Sequence, residues 1–196
     1  GWYNAMRSRA HDTIMRHVRI KQHILDAVDS FWKPIASRGG RVLGLHVRGT
    51  DKAAIIGGEI IRPSSYLPYI QSFLAVHSNA TLFLATDSPS FLKELKQRFP
   101  GRLVVREAAL RSDGNAFLDK SVKRRSALGS DALIDSLLLS RCDALLKSSS
   151  ALSEFALYFR PSLGRYTVDL QHPHRSGDWW IPTGRRRKLP KPLLTK

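Results

Sequence analysis

Four stretches of the chain are apolar, short and cut off by polar residues, and between them lie longer stretches with apolar residues at helical spacing. Val42 to Val47 is the first such run, and it ends in Arg48, Gly49, Thr50, Asp51 and Lys52. Thr81 to Thr86 repeats the pattern and ends in Asp87, Arg102 to Glu107 gives a third strand, and Asp143 to Ser148 a fourth. Runs of this length, rich in β-branched and aromatic residues, read as buried strands. Tyr166 to Leu170 adds an edge strand.

The intervening segments predict helices. Ile14, Val18, Ile24, Leu25, Val28 and Trp32 mark one basic amphipathic helix from Arg7 to Trp32, ending before Pro34. A second follows Ser64 or Ser65 as its cap and runs through Tyr66, Tyr69, Ile70, Phe73 and Val76. A third covers Phe91 to Phe99 and stops at Pro100-Gly101. Gly129-Ser130-Asp131 opens the most apolar helix, in which Asp135 is the lone carboxylate among Leu133, Ile134, Leu137, Leu138 and Leu139. A carboxylate on a helix that is apolar nearly all round requires a partner or a ligand. The last helix is Ala151 to Phe159. Regular alternation of strand and helix predicts an α/β fold, a parallel sheet with helices on both faces. Its parts are an N-terminal helical segment (1–40), the sheet domain (41–170) and an irregular basic extension (171–196).

Composition narrows the classes. With 42% hydrophobic and 24% charged residues over 196 positions the chain is globular, and no apolar run reaches the roughly 18 residues of a membrane span. The opening G-W-Y-N-A-M-R lacks a cleavage pattern, so a fragment or a processed chain is expected. Cys142 is the one cysteine and sits among leucines, where a buried thiol is expected rather than a nucleophile. Asn79-Ala80-Thr81 is a formal sequon, weak evidence for a secretory route. A net charge of +16 favours polyanionic partners. Six basic residues and no acid lie between Arg185 and Lys196, where Pro190 and Pro192 forbid a regular helix.

In an open parallel sheet, ligands bind beyond the carboxyl ends of the strands. The groups delivered there are His46, Arg48, Asp51 and Lys52, then Asp87, then Ser148 and Ser149. A guanidinium fork suits a pyrophosphate, hydroxyls and helix-start amides suit its oxygens, and a carboxylate such as Asp135 suits ribose hydroxyls or a base edge. No G-x-x-x-x-G-K-[ST] or G-x-G-x-x-G is present. Each group also has a structural role open to it. His46 can be a core histidine, Asp51 and Lys52 can pair, Asp87 can cap the next helix, and Ser148 to Ser150 can be a capping loop. Asp169 and Asp178 flank His172 and His174 without a regular element to fix them, and no metal site is assigned.

His46 to Lys52, H-V-R-G-T-D-K, resembles the H-V-R-R-T-D-K signature of the α-1,6-fucosyltransferases and related nodulation fucosyltransferases. Ala85 to Ser90 resembles their second motif, and Leu133 to Asp143 followed by Lys147 to Ala156 resembles their third, in the same order. The resemblance implies the Rossmann-like, donor-binding half of a GT-B glycosyltransferase that takes fucose from GDP-fucose to a glycan hydroxyl with inversion, using no metal and no other cofactor. It places Arg48 on the β-phosphate, His46 beside it, Asp135 on the ribose, and Ser148 and Ser149 by the phosphates. Departures are plain: Gly49 replaces the second Arg, and Ile56 stands where the family has a Glu proposed as general base, leaving Glu59 as the nearest carboxylate. Gly114 to Phe117 lacks the family's His, and only residues 1–40 precede the first strand where an acceptor lobe is expected. These departures admit a second reading. In it the fold is a non-catalytic subunit of an RNA–protein assembly such as a mitochondrial ribosome, binding RNA or neighbouring proteins through Arg185, Arg186, Arg187, Lys188 and Lys191. The enzyme reading implies a Golgi or bacterial cytoplasmic location, the other an organelle.

Overall fold

A computed structural model describes residues 2–48, 61–107, 125–172 and 176–177. Within them five parallel strands form one sheet in the order β3-β2-β1-β4-β5. The strands are β1 (Val42–Val47), β2 (Thr81–Thr86), β3 (Leu103–Val105), β4 (Ala144–Lys147) and β5 (Thr167–Asp169). Parallel neighbours need crossovers, and each described crossover carries a helix. These are α3 (Leu67–Val76), α4 (Pro89–Arg98), α5 (Arg125–Arg141) and α6 (Ala151–Phe159), preceded by α1 (Trp2–His17) and α2 (Gln22–Ala36). The α/β fold with a parallel sheet covered on both faces is as expected.

Alternation along the strands sorts the core into two layers. Leu43, Leu45, Val47, Leu82, Leu84 and Leu146 pack against Ile70 and Phe73 of α3 and Leu95 of α4. Val42, Phe83, Ala85 and Leu145 face the other way, against Val28 of α2, Leu138 and Leu139 of α5 and Leu157 of α6. Gly44 belongs to this second face. A Cβ there would stand 3.0 Å from Cys142 Sγ and 3.2 Å from Leu139 Cδ2, so its absence lets the end of α5 lie directly on β1. Cys142 is buried, as its leucine surroundings predict, and burial pushes its thiol pKa up.

Some boundaries differ from the sequence pattern. The single N-terminal helix is two, broken at 18–21, where Lys21 is extended (φ −63°, ψ 139°). Arg19 supplies the stop: its Nη1 donates to the carbonyls of Met15 (3.1 Å), Arg16 (3.3 Å) and Val18 (3.2 Å), answering acceptors left open at a helix end. α2 continues through Pro34, which lies in its last turn. Ser64 and Ser65 form a 3₁₀ turn with Pro63 instead of capping α3. Ser88, not Asp87, caps α4, its Oγ accepting from Phe91 N at 3.2 Å. α5 begins at Arg125, a turn before Gly129, which brings Asp131 inside the helix. No helix among the described residues is long and apolar enough to cross a membrane.

Candidate active site

Strand order reverses between β1 and β4: β2 and β3 extend the sheet on one side of β1, β4 and β5 on the other. Such a point leaves a crevice at the carboxyl ends, because successive crossovers part to opposite faces there. A cavity of about 420 Å³ occupies it. His46 and Arg48 from β1, Thr86 and Asp87 from β2, Asp131 and Asp135 from α5, and Ser150, Ala151, Leu152 and Phe155 from the start of α6 line it.

The cationic end is built on Arg48. Its Nη1 donates to Ser150 Oγ at 3.1 Å, so the hydroxyl at the N-cap position of α6 serves the guanidinium and makes no capping bond. The first amides of a helix have no intrahelical acceptor and its N-terminus carries partial positive charge. Arg48 and the start of α6 thus form an anion-favouring corner. Two further bonds hold the corner's backbone. Buried Tyr66 donates its hydroxyl to the His46 carbonyl at 2.9 Å, and Thr86 Oγ1 donates to the Val47 carbonyl at 2.6 Å. Burial raises the Tyr66 pKa, which keeps the phenol protonated as a donor.

The α5 end of the cavity is acidic. Asp131 and Asp135, one turn apart on α5, share Arg106 from the end of β3: Nη1 lies 2.7 Å from Asp131 Oδ1 and Nε 3.1 Å from Asp135 Oδ1. Asp135 thus has the partner its apolar helix demands, and two carboxylates face one guanidinium. Leu128, Ala132, Leu133, Leu152 and Phe155 supply an apolar wall beside these charges. Phe155 is 44% exposed, a large ring left open at the rim.

Of the residues marked in the sequence, His46, Arg48, Asp87 and Asp135 meet at this cavity. Ser148 and Ser149 are not among its lining. Ser148 is buried and its carbonyl accepts from Ser153 Oγ at 3.3 Å, while Ser149 N donates to Gln171 Oε1 at 3.3 Å. Ser150, the next residue, is the hydroxyl that reaches Arg48. Asp51, Lys52, Gly49, Ile56 and Glu59 lie outside the described residues, as do Arg185, Arg186, Arg187, Lys188 and Lys191. Asp131, Arg106 and Phe155 carry no signature in the sequence, since a strand end and two helical positions acquire meaning only when the sheet assembles.

A second charged cluster stands next to the cavity. Lys147, at the end of β4, is 1% exposed and lies 2.8 Å from Asp169 Oδ2 and 3.2 Å from Glu154 Oε2. Arg7 of α1, also 1% exposed, places Nε 2.7 Å from Glu154 Oε1. Burial alone would raise the Glu154 pKa, but the Arg7 hydrogen bond and the charge of Lys147 outweigh it and hold the carboxyl below its ordinary range. Asp169 Oδ1 accepts from the amides of Gln171 (3.0 Å) and His172 (2.8 Å). Asp169 is thus engaged in the core of the rim.

Comparison with solved structures relates this geometry to a known fold. Crystallised NodZ α-1,6-fucosyltransferase, determined with GDP, matches with a TM-score of 0.50 and 22% identity over 75% of this chain. This is a fucosyltransferase-like Rossmann fold. A selenomethionine form of fucosyltransferase NodZ from Bradyrhizobium gives a TM-score of 0.48 and 20% identity over 75% of the chain. The chain spans 43% and 44% of the length of these two proteins. No family model and no curated protein sequence matches it.

Proposed function

We propose that the cavity between β1 and β4 binds a nucleoside diphosphate as part of a sugar donor, GDP-fucose, for transfer of fucose to a glycan hydroxyl. The observation that carries this reading is the bond from Arg48 to Ser150 at the start of α6, which fixes a guanidinium beside helix amides at the switch point of the sheet. The cavity has the polarity of such a ligand. Its cationic corner suits the diphosphate, its apolar wall suits a flat base, and its acidic end suits hydroxyl or amine donors. The likeness to the NodZ fold agrees with a diphosphate of guanosine, the nucleotide crystallised with that enzyme.

In the transfer, the bond from the sugar's anomeric carbon to the β-phosphate oxygen breaks as the acceptor oxygen attacks from the opposite side, and the diphosphate leaves with the bonding pair. Arg48 and the amides at the start of α6 stabilise the charge that grows on that oxygen, a contribution realised most fully in the transition state. The acceptor's proton needs a base, for which Glu59 is the candidate in the sequence.

Incubation with GDP-fucose tests the reading. Saturable binding of the intact donor, with GDP released as fucose reaches an acceptor or water, is the expected result. A chain that neither binds GDP-fucose nor releases GDP at millimolar donor contradicts it.

A further inference from the structure

Glu154 stands in the first turn of α6, whose amides face the proposed diphosphate corner. A carboxylate in that position opposes any phosphate brought to the helix start, because both compete for the same partial positive charge. Two cations surround it, Lys147 from β4 and Arg7 from α1. Lys147 is shared with fully buried Asp169, and these two form a neutral pair at 2.8 Å. Lys147 alone thus cannot balance both carboxylates, and full neutralisation of Glu154 requires Arg7. The packing around Arg7 is specific: a Cβ on Gly164 would stand 3.2 Å from its Nη1, and the guanidinium lies 6.0 Å from the centre of the Tyr3 ring. The side chain is enclosed between α1, α6 and the turn 161–166, and carries out no exposed role.

We propose that Arg7 is a positioning residue for the diphosphate corner: by neutralising Glu154 it keeps the start of α6 receptive to a phosphate, so that the seating of the N-terminal helix sets the affinity of the cavity. The inference rests on the reading of the cavity as a diphosphate site. A run of bonds links Arg7 to Arg48. Arg7 holds Glu154; Glu154 and Asp169 together hold Lys147; Ser153, one residue before Glu154, donates its hydroxyl to the carbonyls of Ser148 (3.3 Å) and Ser150 (3.2 Å). Ser150 in turn receives Arg48. With Arg7 gone, Glu154 is an uncompensated charge one turn from the corner and draws Lys147 away from Asp169.

Calorimetric titration with GDP of the wild type, Arg7→Met, Glu154→Gln and the double variant tests this. Arg7→Met is expected to weaken GDP binding roughly fivefold, the effect of one uncompensated charge in the first turn of the helix whose start meets the phosphate, partly screened by solvent. Arg7→Met combined with Glu154→Gln, which restores neutrality, is expected to return within about twofold of wild type, and Glu154→Gln alone to bind as tightly as wild type or more so. A purely structural bridge would give the reverse order, with both Glu154→Gln variants as weak as Arg7→Met or weaker. That order, or an Arg7→Met variant that binds GDP like wild type, overturns the inference and leaves the cavity reading intact. If Arg7→Met does not fold, Glu154→Gln alone decides: tighter or equal binding supports the inference and weaker binding overturns it. A wild-type chain blind to GDP overturns both.

Discussion

The carboxyl rim of the sheet carries two acid–base constellations side by side, one open and one closed. Between β1 and β4, Arg48, Asp87, Asp131 and Asp135 border a cavity of about 420 Å³. Between β4 and β5, Lys147 and Asp169 meet at 2.8 Å, with almost no exposure, and Glu154 and Arg7 extend the pairing to α1. The residue types are nearly the same, and topology separates their roles. Where strand order reverses, the flanking crossovers part and leave room for a ligand. Where order continues, Glu154 of α6 and Arg7 of α1 meet the strand-end charges, and the four groups satisfy one another. A polar group at a strand end is therefore a candidate site only once its neighbouring strand is known.

The largest effect that would sharpen this contrast is at Lys147. Lys147→Met leaves Asp169 buried and uncompensated, and is expected to cost about 3–5 kcal/mol in chemical denaturation. Lys147→Met with Asp169→Leu should recover most of that loss, since a buried pair contributes little over a well-packed apolar one. A Lys147→Met variant as stable as wild type would show that the closed side is not closed.

Next in size is Gly44→Ala, expected to cost about 1–3 kcal/mol by overpacking against Cys142 and Leu139. Displacing α5 from β1 moves Asp131 and Asp135 relative to Arg48, so GDP affinity should fall with stability. Unchanged stability would mean that α5 does not rest on β1 as described.

The smallest effect is at acid pH. The Glu154 carboxyl is held below its ordinary range in the folded chain, so the stability it contributes is present above the unfolded value and is lost as pH falls through the folded one. Thermal melts below pH 5 should therefore show a shallower decline in Glu154→Gln than in wild type. Parallel declines would remove Glu154 from the acid-labile set.

Much of the open side was legible in the sequence, and little of the closed side. All five strands and the helix Ala151–Phe159 follow from local apolar runs and their punctuation, and His46, Arg48, Asp87 and Asp135 stand at run ends or alone in an apolar helix. The break at 18–21 was hidden because Val18 and Ile20 are apolar and neither Gly nor Pro marks it. Asp87 and Ser88 are both good caps, and only the backbone decides between them. Ser148, Ser149 and Ser150 are alike in sequence, and where α6 begins decides which of the three hydroxyls reaches Arg48. The chain from Arg7 to Asp169 has no local signature at all, because Arg7 and Glu154 are 147 residues apart and the buried lysine looks like any strand end.

Titration of GDP into the wild type and Arg48→Ala tests the central claim most directly. Wild type should bind saturably, and Arg48→Ala should bind about 10–100-fold more weakly, the loss of one charge-assisted contact to the diphosphate, with its thermal midpoint little changed. No saturable binding by wild type, or equal affinity in the two proteins, would contradict the assignment of the cavity between β1 and β4 as a diphosphate site.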